Sequence, residues 1–87
     1  MLTMMSIQNV YTTKDLGAAI KQARARRRLT QTALAEHANV SRGVVQKLEQ
    51  GRGTVGLDNA LRILHILSLD LAVQSRTDVT AEPAPRG

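Results

Sequence analysis

LTQTALAEHANVSRGVVQKLEQG, residues 29 to 51, decides how the chain folds, because the same helix-opening signature occurs in it twice. Thr30 and Ser41 each stand where a side-chain oxygen accepts from the unpaired amides of a following first helical turn. Leu29 precedes Thr30 and is spaced to meet Leu34, while Val40 precedes Ser41 and is spaced to meet Val45. That apolar pairing fixes the angle at which a chain enters a helix. Between the two, Asn39 falls where a sharp turn needs a left-handed backbone, which asparagine tolerates better than most residues. The stretch therefore reads as two short helices, Gln31 to Ala38 and Arg42 to Gln50, joined by a tight turn.

Upstream, Thr12 caps a first helix, and Asp15 reaches back three residues to close a capping box. Leu16, Ala19, Ile20 and Ala23 recur at helical spacing and define its buried stripe. The helix ends in RARRR, residues 24 to 28, whose charge suits the negative end of the helix dipole. This run reads either as a solvated terminus or as a phosphate clamp, while Arg24, at the edge of the stripe, is placed to pair inward. In the next two helices Leu34, Ala35, Ala38, Val45 and Leu48 take core positions, leaving Arg42, Gly43, Gln46 and Lys47 on the opposite face of the later one. Gly43 inside a helix costs about 1 kcal/mol relative to alanine. Either the helix tolerates it, or its backbone must approach another surface.

Downstream of Gly51 lies a basic, glycine-rich loop, GRGTVG, and then LDNALRILHIL, residues 57 to 67. That helix carries too many apolar residues for one narrow stripe, so it is expected to be covered on two sides, with His65 packed or interfacial. From Leu69 the period changes to two: Leu69, Leu71 and Val73 alternate with polar or small residues, the pattern of a half-buried strand. A lone strand leaves its backbone groups unpaired, and the same strand of a second copy is the economical partner. Leu64, Leu67, Leu69, Leu71 and Val73 are the expected dimer interface.

The chain of 87 residues has room for one small domain, and a core this size gains stability by pairing. Residues 1–10 are expected to form a flexible arm, 11–75 the domain and 76–87 a disordered tail. Twelve Lys and Arg against seven Asp and Glu give +5, a charge that suits a nucleic-acid partner. The absence of cysteine excludes disulfides and thiolate metal sites, and no apolar run suits a signal peptide or membrane span. A cytoplasmic protein with no membrane partner is expected. His37 and His65 have no nucleophile or carboxylate constellation beside them, so enzyme activity, a metal site and a cofactor are not expected.

From Tyr11 to Val73 the sequence resembles the lambda-repressor-like, or Xre-type, helix-turn-helix family. The resemblance rests on Arg24, Leu29-Thr30-Gln31, Leu34-Ala35, Val40-Ser41 and Glu49-Gln50-Gly51 in register. It implies an all-α bundle of four to five helices, with a short C-terminal β-strand pairing across a dimer. Within the family, QNVYTT before the first helix and LRILHILSLDLAV after the third look like HipB-type antitoxins. This implies a dimeric repressor that binds a palindromic operator in double-stranded DNA and neutralises a HipA-type serine/threonine kinase toxin. The alternative is a solitary Xre-type regulator without a toxin.

Carried over residue by residue, the resemblance assigns base contacts to Ser41, Arg42, Gly43 and Gln46. It assigns DNA backbone contacts to Arg28, Thr30, Gln31, Lys47 and Arg52, and a structural ion pair to Arg24 and Glu49. Position 28 is often glycine in the family, so Arg28 requires a different turn or a strained backbone.

Overall fold

The computed structural model describes residues 7–75. Among them four helices follow one another: α1 (Thr13–Arg26), α2 (Gln31–Ala38), α3 (Arg42–Glu49) and α4 (Leu57–Ile66). Their starts follow from the local sequence. Thr12, Thr30 and Ser41 each accept a hydrogen bond from the amide three residues on, belonging to Asp15, Ala33 and Val44. At α1 the box is complete, because the Asp15 carboxylate accepts from the Thr12 and Tyr11 amides at 3.1 and 2.9 Å. Only α4 lacks a side-chain cap, starting after Gly56 at φ +85°.

All four helices stop the same way. The backbone turns left-handed at Arg28, Asn39, Gly51 and Ser68, with φ between +58° and +79°. The next amide then bonds back to a carbonyl five residues earlier: Leu29 to Arg24, Val40 to Ala35, Arg52 to Lys47 and Leu69 to Leu64. This closure satisfies carbonyls that a helix end leaves without partners. Three of the four left-handed residues carry a side chain, which costs roughly 1–2 kcal/mol each except where asparagine eases it.

The core is aliphatic. Ile20, Leu34, Val45 and Ile63, one from each helix, are fully buried, and Ala23, Ala35, Ala38, Leu48, Ala60, Leu64 and Leu67 complete the cluster. Leu29 and Val40, which lead into α2 and α3, pack against it half-buried. Helix α3 packs against both α1 and α2, and α4 packs against α2 and, less extensively, α3. The tightest approach is at Gly17, where an added Cβ would lie 2.8 Å from the Glu49 carbonyl oxygen and closer still to that of Leu48.

Three expectations are corrected or narrowed. No strand occurs among the described residues, and 69–75 form no regular element. A strand exists by pairing with a second extended segment, and no such ladder forms within the described part of one chain. Leu64 and Leu67, expected at a dimer interface, are buried in the chain's own core at 6% and 3% exposure, because the last turn of α4 faces inward. Leu69 is half-buried against the same core, which leaves Leu71 and Val73 exposed together with Leu57 and Leu61 on the outer side of α4. His65 is exposed, which removes the packed alternative within the chain. Residues 7–10 of the expected arm are exposed without regular structure; the rest of the arm and the expected tail lie outside the described residues.

Candidate nucleic-acid interface

The exposed face of α3 follows from its buried face. Val45 and Leu48 point into the core, which turns Arg42, Gly43, Gln46 and Lys47 to solvent. Arg42 and Gln46 are four residues apart and so lie one above the other along the helix. Ser41 stands at the head of this face. Its oxygen is spent accepting from the Val44 amide at 3.2 Å, but its hydroxyl hydrogen remains available to an outside acceptor. Thr30, capping α2, is in the same position. An added Cβ on Gly43 would meet only the Ser41 oxygen, at 3.7 Å. The domain's own packing therefore gives no reason for glycine there.

Behind this face, α3 is fastened at its far end. Arg24 from α1 donates to Glu49 through Nε and, at 3.0 Å, through Nη2, a two-pronged ion pair. A third donor, Arg24 Nη1, reaches the Leu29 carbonyl at 2.8 Å. Gln31 Nε2 adds a bond to Glu49 Oε1 at 3.0 Å. The Glu49 side chain is 3% exposed and that of Arg24 15%, so the charges are nearly withdrawn from water. The Glu49 hydrogen bond raises the Arg24 pKa against the opposing effect of burial. One arginine thus joins α1, the entry to α2 and the last turn of α3.

Sequence reasoning missed several ties. Thr13 Oγ1 donates to the Gly51 carbonyl at 2.7 Å, fixing the end of α3 to the start of α1. Arg62 Nη1 on α4 donates to the Asn39 carbonyl at 3.4 Å, supporting the turn between α2 and α3. Gly17 is buried between α1 and α3. Its signal was present: it sits three residues before Ile20, on the buried stripe.

Arg28, Lys47 and Arg52 are exposed cations, Arg28 at the left-handed end of α1 and Arg52 just past α3. Arg26 and Arg27 add to the exposed charge beside Arg28. Gln31 is half-buried, with one amide hydrogen spent on Glu49. Among the described residues no helix is long and apolar enough to cross a membrane, and no cluster of His, Cys, Asp or Glu is placed to hold a metal ion.

Two short helices at a tight turn, the second presenting a polar, partly cationic face, make this a DNA-binding helix-turn-helix regulator domain. The chain belongs to the helix-turn-helix domain family, whose profile matches residues 15–76, and its type is lambda-repressor-like, or Xre-type. It is 35% identical over 66 residues to the ImmF control region 10 kDa protein of Bacillus phage phi105, covering 76% of this chain and 73% of that one.

Among solved structures, a chain of a HipA-HipB-O2-O3 complex superposes with a TM-score of 0.74 at 22% identity, over 82% of this chain and all of the other. A chain of a HipB-O4 20mer complex does so with the same TM-score of 0.74 at 22% identity, again over 82% of this chain and all of the other. The clp gene regulator ClgR from Corynebacterium glutamicum matches at 35% identity and a TM-score of 0.59, over 66% of this chain and 61% of that one.

Proposed function

We propose that the protein is a sequence-specific repressor that binds a palindromic operator as a homodimer and acts as the antitoxin of a type II toxin-antitoxin system. The observation that carries the DNA reading is the outward face of α3, with Gly43 left bare where its own domain does not require it. Arg42 takes guanine O6 and N7, Gln46 takes adenine N6 and N7, and Ser41 and the Gly43 backbone approach the same groove. Arg28, Thr30, Lys47 and Arg52 hold phosphates, and Gln31 has one amide hydrogen left for the same use.

Dimerisation is supported by four of the apolar residues that one chain leaves exposed, Leu57, Leu61, Leu71 and Val73. Leu69, Leu71 and Val73 enter the proposed two-stranded ribbon, which gives the backbone groups of residues 70–73 a partner. A two-fold axis then sets two copies of α3 about 34 Å apart on one side of the duplex. The proposed partner toxin is a HipA-type serine/threonine kinase, a reading supported by the fold shared with a chain of a HipA-HipB-O2-O3 complex. The 35% identity to a phage control-region protein favours a second reading, a solitary regulator with no toxin.

Selection from a random-sequence duplex pool tests the DNA reading: a palindromic consensus is expected, and failure to enrich any sequence overturns it. Co-purification tests the toxin, with a kinase expected to accompany the protein from its native cells. DNA selection without such a companion decides for the solitary regulator.

A further inference from the structure

Lys14 is the second residue of α1, an exposed cation in the first turn, where a positive charge opposes the helix dipole. Its own helix gives no reason for it. What it meets is the end of α3. A Cβ built on Gly51 would lie 2.7 Å from Lys14 Cγ and 2.9 Å from its Cα, so the lysine stem lies directly over that glycine. The bond from the Thr13 hydroxyl to the Gly51 carbonyl, at 2.7 Å, holds the two segments together. Lys47 stands one turn before Gly51 and Arg52 immediately after it, and the Arg52 amide bonds back to the Lys47 carbonyl at 3.0 Å. Three exposed cations from two elements thus gather around one glycine. Among the described residues the ion pairs join Arg24 to Glu49 and Arg62 to Asp58, which leaves all three without a carboxylate partner. The neighbouring Asp15 carboxylate is turned back onto the Tyr11 and Thr12 amides.

We propose that Lys14 is a DNA-backbone contact supplied by α1, completing with Lys47 and Arg52 a phosphate site at the far end of α3. This rests on the DNA reading above. Eight residues make α3 about 12 Å long, close to the width of the major groove. A helix of that length whose first residues meet base edges carries its last ones to the wall of the groove, where phosphates run. Like charges brought together there repel one another unless an anion lies between them. The contact reads no base, so its loss weakens every duplex alike. A different role, offsetting the negative end of the α3 dipole, would act on stability instead.

The test uses the full chain with Lys14→Met, which keeps a stem over Gly51 and removes the charge, and Lys14→Arg, which keeps the charge. Affinity is measured over a series of salt concentrations for a duplex that the wild-type protein enriches from a random pool, and for the unselected pool. The selected duplex is also made with one uncharged methylphosphonate linkage at each position in turn. Urea unfolding of each variant is followed in parallel. Lys14→Met is expected to weaken both DNAs by about three- to tenfold at low salt and to make the salt slope shallower by about one, with Lys14→Arg close to wild type. One linkage is expected whose neutralisation weakens the wild-type protein but not Lys14→Met. A loss with no such linkage overturns the proposal in favour of a general effect of net charge. Unchanged affinity with a lowered unfolding midpoint overturns it in favour of the dipole role, and unchanged affinity and stability overturn both. If the wild-type protein enriches nothing and binds no duplex, the DNA reading falls and takes this proposal with it, an outcome distinct from the others.

Discussion

Gly17 and Glu49 meet backbone to backbone: a Cβ on the glycine would lie 2.8 Å from the glutamate's carbonyl oxygen and 3.0 Å from its carbonyl carbon. The last turn of α3, which carries the brace, therefore rests directly on the second turn of α1. Glycine to alanine inside an exposed helix ordinarily stabilises by about 0.5–1 kcal/mol. Here Gly17→Ala must push two packed helices apart and is expected to destabilise by about 1–3 kcal/mol. Thermal or urea unfolding reads the sign, and a stabilised variant would show that α1 and α3 are not so close.

Cutting the Arg24–Glu49 pair from either side strands a charge withdrawn from water. Arg24→Met leaves the more buried carboxylate behind and is expected to cost about 3–5 kcal/mol. Glu49→Met leaves the better-exposed guanidinium and costs less. The double variant is expected to lose less than the sum of the two, because neither charge then remains. Denaturant titration of the three variants checks this, and additive losses would count against a direct pair.

Arg28 and Ser68 hold a left-handed backbone that favours glycine, at φ +58° in both. Arg28→Gly and Ser68→Gly are each expected to raise stability by about 1 kcal/mol or somewhat less, since glycine's extra freedom in the unfolded chain offsets part of the relief. If Arg28 holds a phosphate as proposed, its replacement also weakens binding to all DNA alike, whereas Ser68→Gly does not. Melting temperatures and filter binding on random DNA separate the two effects.

On α3, Arg42→Ala is expected to relax base preference at one position of the selected site, a loss of about 1–3 kcal/mol confined to specific DNA. Arg52→Ala is expected to weaken specific and random duplexes alike and to reduce the salt dependence of binding. Gly43→Ala, whose Cβ would meet only the Ser41 oxygen at an ordinary contact distance in the free protein, is expected to stabilise the fold by up to about 1 kcal/mol while lowering DNA affinity. Gel shifts on both DNAs check all three. Identical behaviour of the Arg42 and Arg52 variants would sink their separate assignments.

The cap of α1 carries a pH signature. The Tyr11 amide, helped by the Thr12 amide and hydroxyl, outweighs desolvation and holds the Asp15 carboxyl below its ordinary value of 3.8. A lowered folded-state pKa means that the cap's contribution is fully present above that ordinary value and is lost as pH falls through the folded one. The melting-temperature gap between wild type and Asp15→Asn should therefore be constant near neutrality and shrink in acid. A gap that persists in strong acid would show that the charge is not what matters.

How legible the molecule was depended on how local each feature is. Thr12, Thr30 and Ser41 announced three helix starts, and Asn39 announced the turn, because a cap or a left-handed residue acts on its immediate neighbours. The outward face of α3 was legible too, since burying Val45 and Leu48 leaves Arg42 and Gln46 opposite. Helix α4 was read less well. Its apolar residues are so dense that periodicity alone did not separate Leu64 and Leu67, which are buried, from Leu57 and Leu61, which are exposed. The resemblance supplied Arg24 opposite Glu49 across 25 residues of chain, but it assigned Gln31 to DNA and said nothing of its bond to Glu49.

By itself, then, the sequence determined that the domain is built of helices, where three of them begin, the turn at Asn39 and the residues that α3 turns outward. These follow from hydrogen bonds and periodicities spanning a few residues. Only the tertiary structure decided that Gly17 lies against α3, that Gln31 closes the α2–α3 pair on Glu49, and that Leu64 and Leu67 belong to the chain's own core. Those depend on how close distant helices approach and which face each turns inward, quantities set by the packing of all four helices at once.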